Sequence, residues 1–179
     1  MAEFLWIFWS FSLLGWVLER LFAAVTRSPR RRRRCLLLLP LCPVYGLGMA
    51  AVLALPPSLR SEWPLYLWGG LTATSVEYIY HWWGETFLGV SFWDYTGVFG
   101  NLRGRVCLPF SLAWGLLLFP AVYLVTPPVV ALADRVPVGV TWWLLLAFTA
   151  DAVCSLRFLA VTHDLEALRA VIWPVSADR

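Results

Sequence analysis

Residues 63–90 read WPLYLWGGLTATSVEYIYHWWGETFLGV, and they carry the strongest evidence for a membrane helix in the chain. It is longer than the roughly 20 residues that an α-helix needs to cross a bilayer. Glu77, His81 and Glu85 follow one another at intervals of four residues, so a helix places them on one face, and apolar side chains fill most of the others. Because ionisable side chains are costly in lipid, this stripe predicts a helix whose polar face points into a bundle or a wet cavity.

Two interpretations of the stripe stay open. The three side chains form a functional site, or they form a structural ion-pair network that fixes how the helices pack. Two acids on one stripe favour the functional interpretation. His81 and Glu85 could share a metal ion, but a firm zinc site needs more nitrogen or sulfur ligands, so no metal and no cofactor are expected.

The composition extends the membrane prediction to the whole chain. Apolar residues make up 60% of the 179 residues and charged residues 14%, whereas ordinary globular proteins have about 25% charged residues. A soluble domain of this size could not cover its surface with so few charges, and a bilayer removes that requirement. We expect an all-α polytopic membrane protein, a bundle of about five transmembrane helices with a short amphipathic C-terminal helix.

The apolar segments suggest one transmembrane domain, residues 1–179, with a cytoplasmic tail at 162–179. The approximate spans are 4–24, 36–55, 63–90, 106–125 and 138–161. The second span is the least regular, because Pro40 and Pro43 oppose a helix at its start. Whether residues 36–45 are helical or re-entrant stays open.

Three further segments lie outside these spans. Residues 129–135, between prolines, suit a short interfacial helix on the outer face, and residues 163–173 suit an amphipathic helix on the inner leaflet. The loop 91–105 either folds back into the mouth of the bundle as a lid, or it is an interfacial loop that Trp93 and Tyr95 anchor at the headgroups. Within it, Asp94 suits an Asx-turn.

The distribution of arginine predicts the orientation in the membrane. All 14 basic residues are arginine, and six of them lie within residues 27–34. The loops on the opposite side hold only Arg60 and Arg135, so the positive-inside rule places the N-terminus outside and the C-terminus in the cytoplasm of a multi-pass protein of the cell inner membrane. We interpret the arginine run as a topology signal that also attracts anionic lipids, and we expect no nucleic-acid binding.

The remaining chemistry-bearing residues give few signals. The four cysteines, Cys35, Cys42, Cys107 and Cys154, form no C-x-x-C pair and adjoin apolar runs, so we expect small buried hydrophobes and no disulfides. The chain has no phosphate-binding loop or dinucleotide fingerprint and therefore is not itself an ATPase. No elbow motif surrounds a serine, so no catalytic residue is assigned and enzymatic activity is not favoured.

Four sequence blocks stand in a specific order between about Ser12 and Gly115. They are 15–19 (GWVLE), 40–48 (PLCPVYGLG), the pair 77–78 (EY) with Glu85 and 93–95 (WDY), and 101–108 (NLRGRVCL) with Ser111 and 114–115 (WG). Together they resemble a bacterial membrane family described as Putative ABC-transporter type IV permeases (CmpB-like). That family usually has glycine where this chain has Cys35, Leu39 and His81, which moves His81 out of the candidate site.

The resemblance implies a permease that works with a separate ATPase subunit. It also selects residues of a substrate-binding or polar cavity, which the predicted orientation puts near the cytoplasmic side. These candidates are Glu19, Tyr45, Glu77, Glu85, Asp94, Tyr95, Asn101, Arg103 and Arg105. Membrane lipids are further expected partners, and a homodimer or larger oligomer is expected because one copy of this size makes only a narrow pathway.

Three functions follow from these observations. The first is a membrane transport component with a buried site of acids and arginine. The alternative is an intramembrane enzyme or lipid-binding membrane protein that uses the same acids. The third is a structural protein whose buried charges only fix the packing of its helices.

Overall fold

A computed structural model describes residues 2–26 and 35–170. Within them the chain is predominantly helical and has only two two-residue strands. Three helices there are long and apolar enough to cross a membrane: Ala2–Thr26, Leu108–Arg135 and Val138–Thr162. The predicted all-α membrane fold is thereby confirmed, and the count of five spans stays a prediction.

Six helices are labelled in chain order. They are α1 (Ala2–Thr26), α2 (Pro43–Leu53), α3 (62–88), α4 (Leu108–Arg135), α5 (Val138–Thr162) and α6 (Leu165–Ala170). A 3₁₀ turn at Pro57–Leu59 links α2 to α3. Helix α2 packs between α1 and α3, α3 packs on α4, and the last part of α4 returns to α1, whereas α5 packs less closely on the other helices. The first four helices therefore enclose the interior of the protein.

Helix α2 has only 11 residues, which makes it too short to cross a bilayer alone. It begins at Pro43, where proline is tolerated because the first helical N–H has no partner within the helix. Residues 35–42 before it are not helical. Of the two alternatives left open for residues 36–45, residues 36–42 have the unwound conformation that the two prolines suggested, and the helical part of the predicted span 36–55 begins at Pro43.

Helix α4 corrects two further predictions. It continues to Arg135, so it passes the predicted end at 125, and residues 129–135 are its last turns rather than a separate interfacial helix. Pro120 is followed by a π-helical segment, Ala121–Val125, and the next prolines occupy the first turn of the segment Thr126–Arg135. A wider turn absorbs the missing hydrogen-bond donors of these prolines and lets the helix continue.

Glycines allow α3 and α4 to cross closely. A Cβ added to Gly70 would lie 3.2 Å from the Cα of Gly115, and one added to Gly115 would lie 2.8 Å from the Tyr66 carbonyl oxygen. Small residues at such a crossing let the backbones approach, as they do in other membrane helices. This contact fixes the position of α3, which carries the charged stripe, against α4.

The segment between α3 and α4 folds back onto the bundle. It contains a hairpin of β1 (Asn101–Leu102) and β2 (Val106–Cys107), and its turns place Gly97, Gly100 and Gly104 at positive φ. Trp93 and Tyr95 are buried in a core with Leu159 and Leu168. The interpretation as a loop anchored at the headgroups is therefore wrong, and the loop closes one end of the bundle.

The C-terminal helix α6 also packs on this core. Leu165 and Leu168 are buried, whereas Glu166 between them is exposed. The expectation that this amphipathic helix lies with its apolar face on the inner leaflet is wrong for the described part, because the protein core covers that face. Residues 171–179 lie outside the described residues.

Candidate functional site

Glu77 lies at the centre of the bundle and only 1% of it is exposed. Its Oε2 accepts a hydrogen bond from the indole N–H of Trp114 at 2.8 Å, and its Oε1 accepts a longer one from the Tyr95 hydroxyl at 3.4 Å. A buried carboxylate needs such donors because it has lost its hydration. Glu77 on α3 therefore joins this helix to Trp114 of α4 and to Tyr95 of the loop.

A second acid, Glu19 on α1, lies on the other side of an aromatic pair. The Tyr45 hydroxyl donates a hydrogen bond of 2.5 Å to Glu19, and the Tyr45 ring meets the Trp114 ring edge-on at a centroid distance of 5.0 Å. Each ring of the pair thus bonds to one acid. We call Glu19, Tyr45, Glu77, Tyr95 and Trp114 the acid–aromatic cluster.

Two cavities border this cluster. The larger, about 330 Å³, lies between α1, α2, α3 and α4, and Glu77 is its one charged lining residue among the described residues. The smaller, about 200 Å³, is lined by Glu19 and Tyr95 together with apolar residues. Tyr45 and Trp114 line both cavities, so their rings stand between them.

The other charged residues form a separate group. Arg105 donates from Nε to Glu85 at 2.7 Å and from Nη1 to the Tyr78 hydroxyl at 2.8 Å, and its guanidinium also lies 5.1 Å from the Tyr78 ring centroid. Trp93 donates its indole N–H to the Arg105 carbonyl oxygen at 2.7 Å. We call Tyr78, His81, Glu85 and Arg105 the arginine cluster, and it ties the end of α3 to the loop.

The electrostatics of the arginine cluster favour a charged guanidinium. Partial burial lowers the pKa of Arg105, but the hydrogen bonds to Glu85 and Tyr78 raise it by more, so its pKa lies above the ordinary value. Glu85 is 36% exposed, so this ion pair is partly screened by its surroundings. The pair holds the loop in place more than it contributes to net stability.

The predicted single stripe divides between the two clusters. Each step of four residues advances about 40° around a helix of 3.6 residues per turn, so Glu77 and Glu85 differ by about 80°. Glu77 faces α4 and the large cavity, whereas Glu85 faces the loop. The spacing in the sequence predicted one face for Glu77 and Glu85, but the angle of about 80° between them directs the two side chains to different neighbours.

His81 does not form a catalytic relay. Its Nε2 contacts both Glu85 at 3.1 Å and the Ser91 hydroxyl at 3.3 Å, and Ser91 donates to the Trp93 carbonyl oxygen. In a hydrolytic triad the serine and the acid engage opposite ring nitrogens. Among the described residues no group of three or more His, Cys, Asp or Glu side chains is arranged to hold a metal ion.

Three predicted site residues shape the loop. Asp94 accepts a hydrogen bond from the Thr96 amide at 2.8 Å, which confirms the Asx-turn, and Asn101 accepts one from the Gly104 amide at 3.2 Å. Arg103 is exposed and has a positive φ of 54°. Their side chains line neither cavity next to the acid–aromatic cluster.

Sequence reasoning missed a membrane carboxylate that stabilises the unwound segment. Asp151 on α5 accepts hydrogen bonds from the backbone amides of Leu38 and Leu39 at 3.1 and 3.0 Å, and from the Ser155 hydroxyl. Free amides at membrane depth need such partners. The sequence offered one signal for this contact, because it has an acid in the fifth predicted span and a proline-broken segment whose amides need acceptors.

The cysteine prediction is also corrected in this segment. Cys35 and Cys42 form a disulfide across the unwound residues, whereas Cys107 and Cys154 are free. The chain is bent throughout residues 36–40, and the two cysteines lie at a Cα–Cα distance of 5.0 Å, within the range that a disulfide requires. The arginine run at 27–34 lies outside the described residues.

A family model described as Putative ABC-transporter type IV matches residues 6–156. The chain belongs to this family. The match covers α1 to α4 and most of α5, and therefore includes both clusters and both cavities. Comparisons with curated proteins and with solved structures found no match. The membrane-spanning helices and the family together make this chain an ABC-transporter-related membrane component.

Proposed function

We propose that this chain is the permease-like subunit of a transporter and that its substrate passes beside the acid–aromatic cluster. The observation that carries the proposal is Glu77, a carboxylate that is 1% exposed and lies at the wall of a cavity of about 330 Å³. Ionisable side chains inside membrane bundles usually mark the path of a substrate or ion.

The nine residues selected from the sequence take different parts in this proposal. Glu19, Tyr45, Glu77 and Tyr95 border the cavities and would meet the substrate. Glu85 and Arg105 hold the loop that closes one end of the path, and Asp94, Asn101 and Arg103 shape that loop. In this proposal the loop acts as the gate of the path.

The energy source in this proposal is a separate ATPase subunit. The sequence carries no nucleotide-binding motif, and the family description names an ABC-transporter. We further propose an inner-membrane location with the N-terminus outside and the C-terminus in the cytoplasm, contacts with anionic lipids through the arginine run, and a homodimer or larger oligomer. A reporter fused to the C-terminus tests the orientation.

The test of function combines association and flux. The tagged chain is purified from its native membrane, co-purifying ATPase subunits are identified, and the complex is reconstituted in liposomes with ATP. Glu77→Gln replaces the buried acid by an amide of nearly the same shape and should lower flux strongly, whereas Glu62→Gln, at an exposed position, should leave it unchanged. Equal flux in both variants, or no associated ATPase, contradicts the proposal.

A further inference from the structure

The larger cavity has the shape of a slot. Its lining on α1 runs from Phe11 to Leu21, which corresponds to about 15 Å along the helix axis. This is about half of the roughly 30 Å hydrocarbon core of a bilayer. Residues of α4 between Trp114 and Val125, together with residues of α2 and α3, complete the lining of the slot.

The slot opens sideways along an apolar edge. Leu14, Leu18 and Leu117, which line it, are between 40% and 46% exposed, so their outer surfaces face away from the protein. In a membrane those surfaces meet acyl chains. A lipid chain can therefore enter from the bilayer without crossing a polar layer.

One end of the slot adjoins polar groups. Beyond the Tyr45–Trp114 pair, the smaller cavity presents the Glu19 carboxylate and the Tyr95 ring, and Leu18 and Leu117 line both spaces. The two cavities, about 330 and 200 Å³, together fall in the range of small-molecule sites, about 300–1,000 Å³. Apart from Glu77, whose carboxylate bonds to Trp114 and Tyr95, the slot has an apolar lining, and it is followed by a polar end. This order matches the two parts of an amphiphile.

We propose that the slot binds one acyl chain of a membrane phospholipid, with the headgroup directed toward the smaller cavity. This goes beyond the proposed function, because it assigns a ligand class and holds whether or not the ligand is transported. Binding is measured without ATP or flux, so its failure is distinguishable from a failure of the transport proposal.

Gly48 provides a variant that fills the slot. It is buried in α2 and lines the slot, and a Cβ added there meets no atom within 4 Å. Gly48→Leu should therefore occupy the space without displacing the protein. Gly139→Leu is the matched control, because Gly139 also has open space around its Cβ position but lies exposed at the start of α5.

The probe is a phosphatidylethanolamine with a diazirine in one acyl chain, added to the purified chain in detergent. Photolabelled peptides are located by mass spectrometry, and unlabelled phosphatidylethanolamine is the competitor. We expect saturable labelling at Phe11–Leu21 of α1 and along α4 between Trp114 and Val125. In Gly48→Leu the labelling should fall about tenfold, the effect of excluding about two methylene groups from the slot, and Gly139→Leu should label like the unaltered chain.

Two results overturn the proposal. One is labelling that the competitor does not reduce, or that is no stronger in the slot than on the exposed face of α5, because such labelling reports the ordinary lipid annulus. The other is equal slot labelling in Gly48→Leu and Gly139→Leu when both elute as the unaltered chain does. The competition experiment needs no variant, so a folding defect in Gly48→Leu does not remove the test.

Discussion

The Tyr45 ring lies directly on Gly15, so that a Cβ at position 15 would overlap its ring atoms. Gly15 belongs to α1 and Tyr45 to α2, and both line the large cavity. The absence of a side chain on α1 is what lets the Tyr45 hydroxyl reach Glu19, one turn further along the same helix. The position of the aromatic pair therefore depends on one glycine.

Gly15→Ala should destabilise the protein by about 1–3 kcal/mol, because overpacking forces either the ring or the helix to move. The measurement is the apparent melting temperature in detergent. Gly139→Ala is the control, since a Cβ there meets nothing within 4 Å. If the two alanine variants melt at the same temperature, the close contact between α1 and Tyr45 is wrong.

Trp114→Phe should leave the buried Glu77 carboxylate without the 2.8 Å hydrogen bond from the Trp114 indole N–H. Losing one donor to a buried acceptor costs about 1–3 kcal/mol, and the apparent melting temperature should fall accordingly. Trp143→Phe is the matched control because Trp143 is 73% exposed. Adding Glu77→Gln to Trp114→Phe should cost less than Glu77→Gln alone, and purely additive effects would contradict a direct bond between the two side chains.

The charged helix and the folded-back loop were within reach of sequence reasoning. Glu77 and Glu85 were identified because ionisable side chains on an otherwise apolar helix avoid lipid and face the protein interior. Asp94 was identified because an Asx-turn involves only its own neighbours. Such local rules do not depend on how the helices are arranged.

Two of the contacts that sequence reasoning missed join distant segments. Asp151 accepts hydrogen bonds from backbone amides more than a hundred residues earlier in the chain. Trp114 on α4 donates a hydrogen bond to Glu77 on α3. These two contacts follow from helix packing, which one sequence does not specify. The disulfide joins residues only seven apart, and it was missed because their spacing gives no distance when residues 36–40 are bent.

The Cys35–Cys42 disulfide closes a short loop before α2, and it should contribute roughly 2 kcal/mol by restricting the unfolded chain. A dithiol reductant should therefore lower the apparent melting temperature of the unaltered chain. In Cys35→Ser the reductant should have no effect, and Cys154→Ser, at an exposed free cysteine, should respond like the unaltered chain. Alkylation before reduction should modify two cysteines in the denatured chain, and modification of all four would rule the disulfide out.

Arg105→Lys should loosen the loop even though it keeps the positive charge. Arginine donates to Glu85 and Tyr78 from two different nitrogens and lies over the Tyr78 ring, and a lysine ammonium cannot reproduce that planar, two-sided geometry. We expect faster amide hydrogen exchange at residues 91–107, where the Tyr95 amide bonds to the Gly104 carbonyl oxygen. Arg103→Lys is the matched control, because Arg103 is exposed two residues away on the same hairpin. Equal exchange in the two variants would show that the loop is held by its buried aromatic residues alone, and that the bond between Arg105 and Glu85 does not keep it closed.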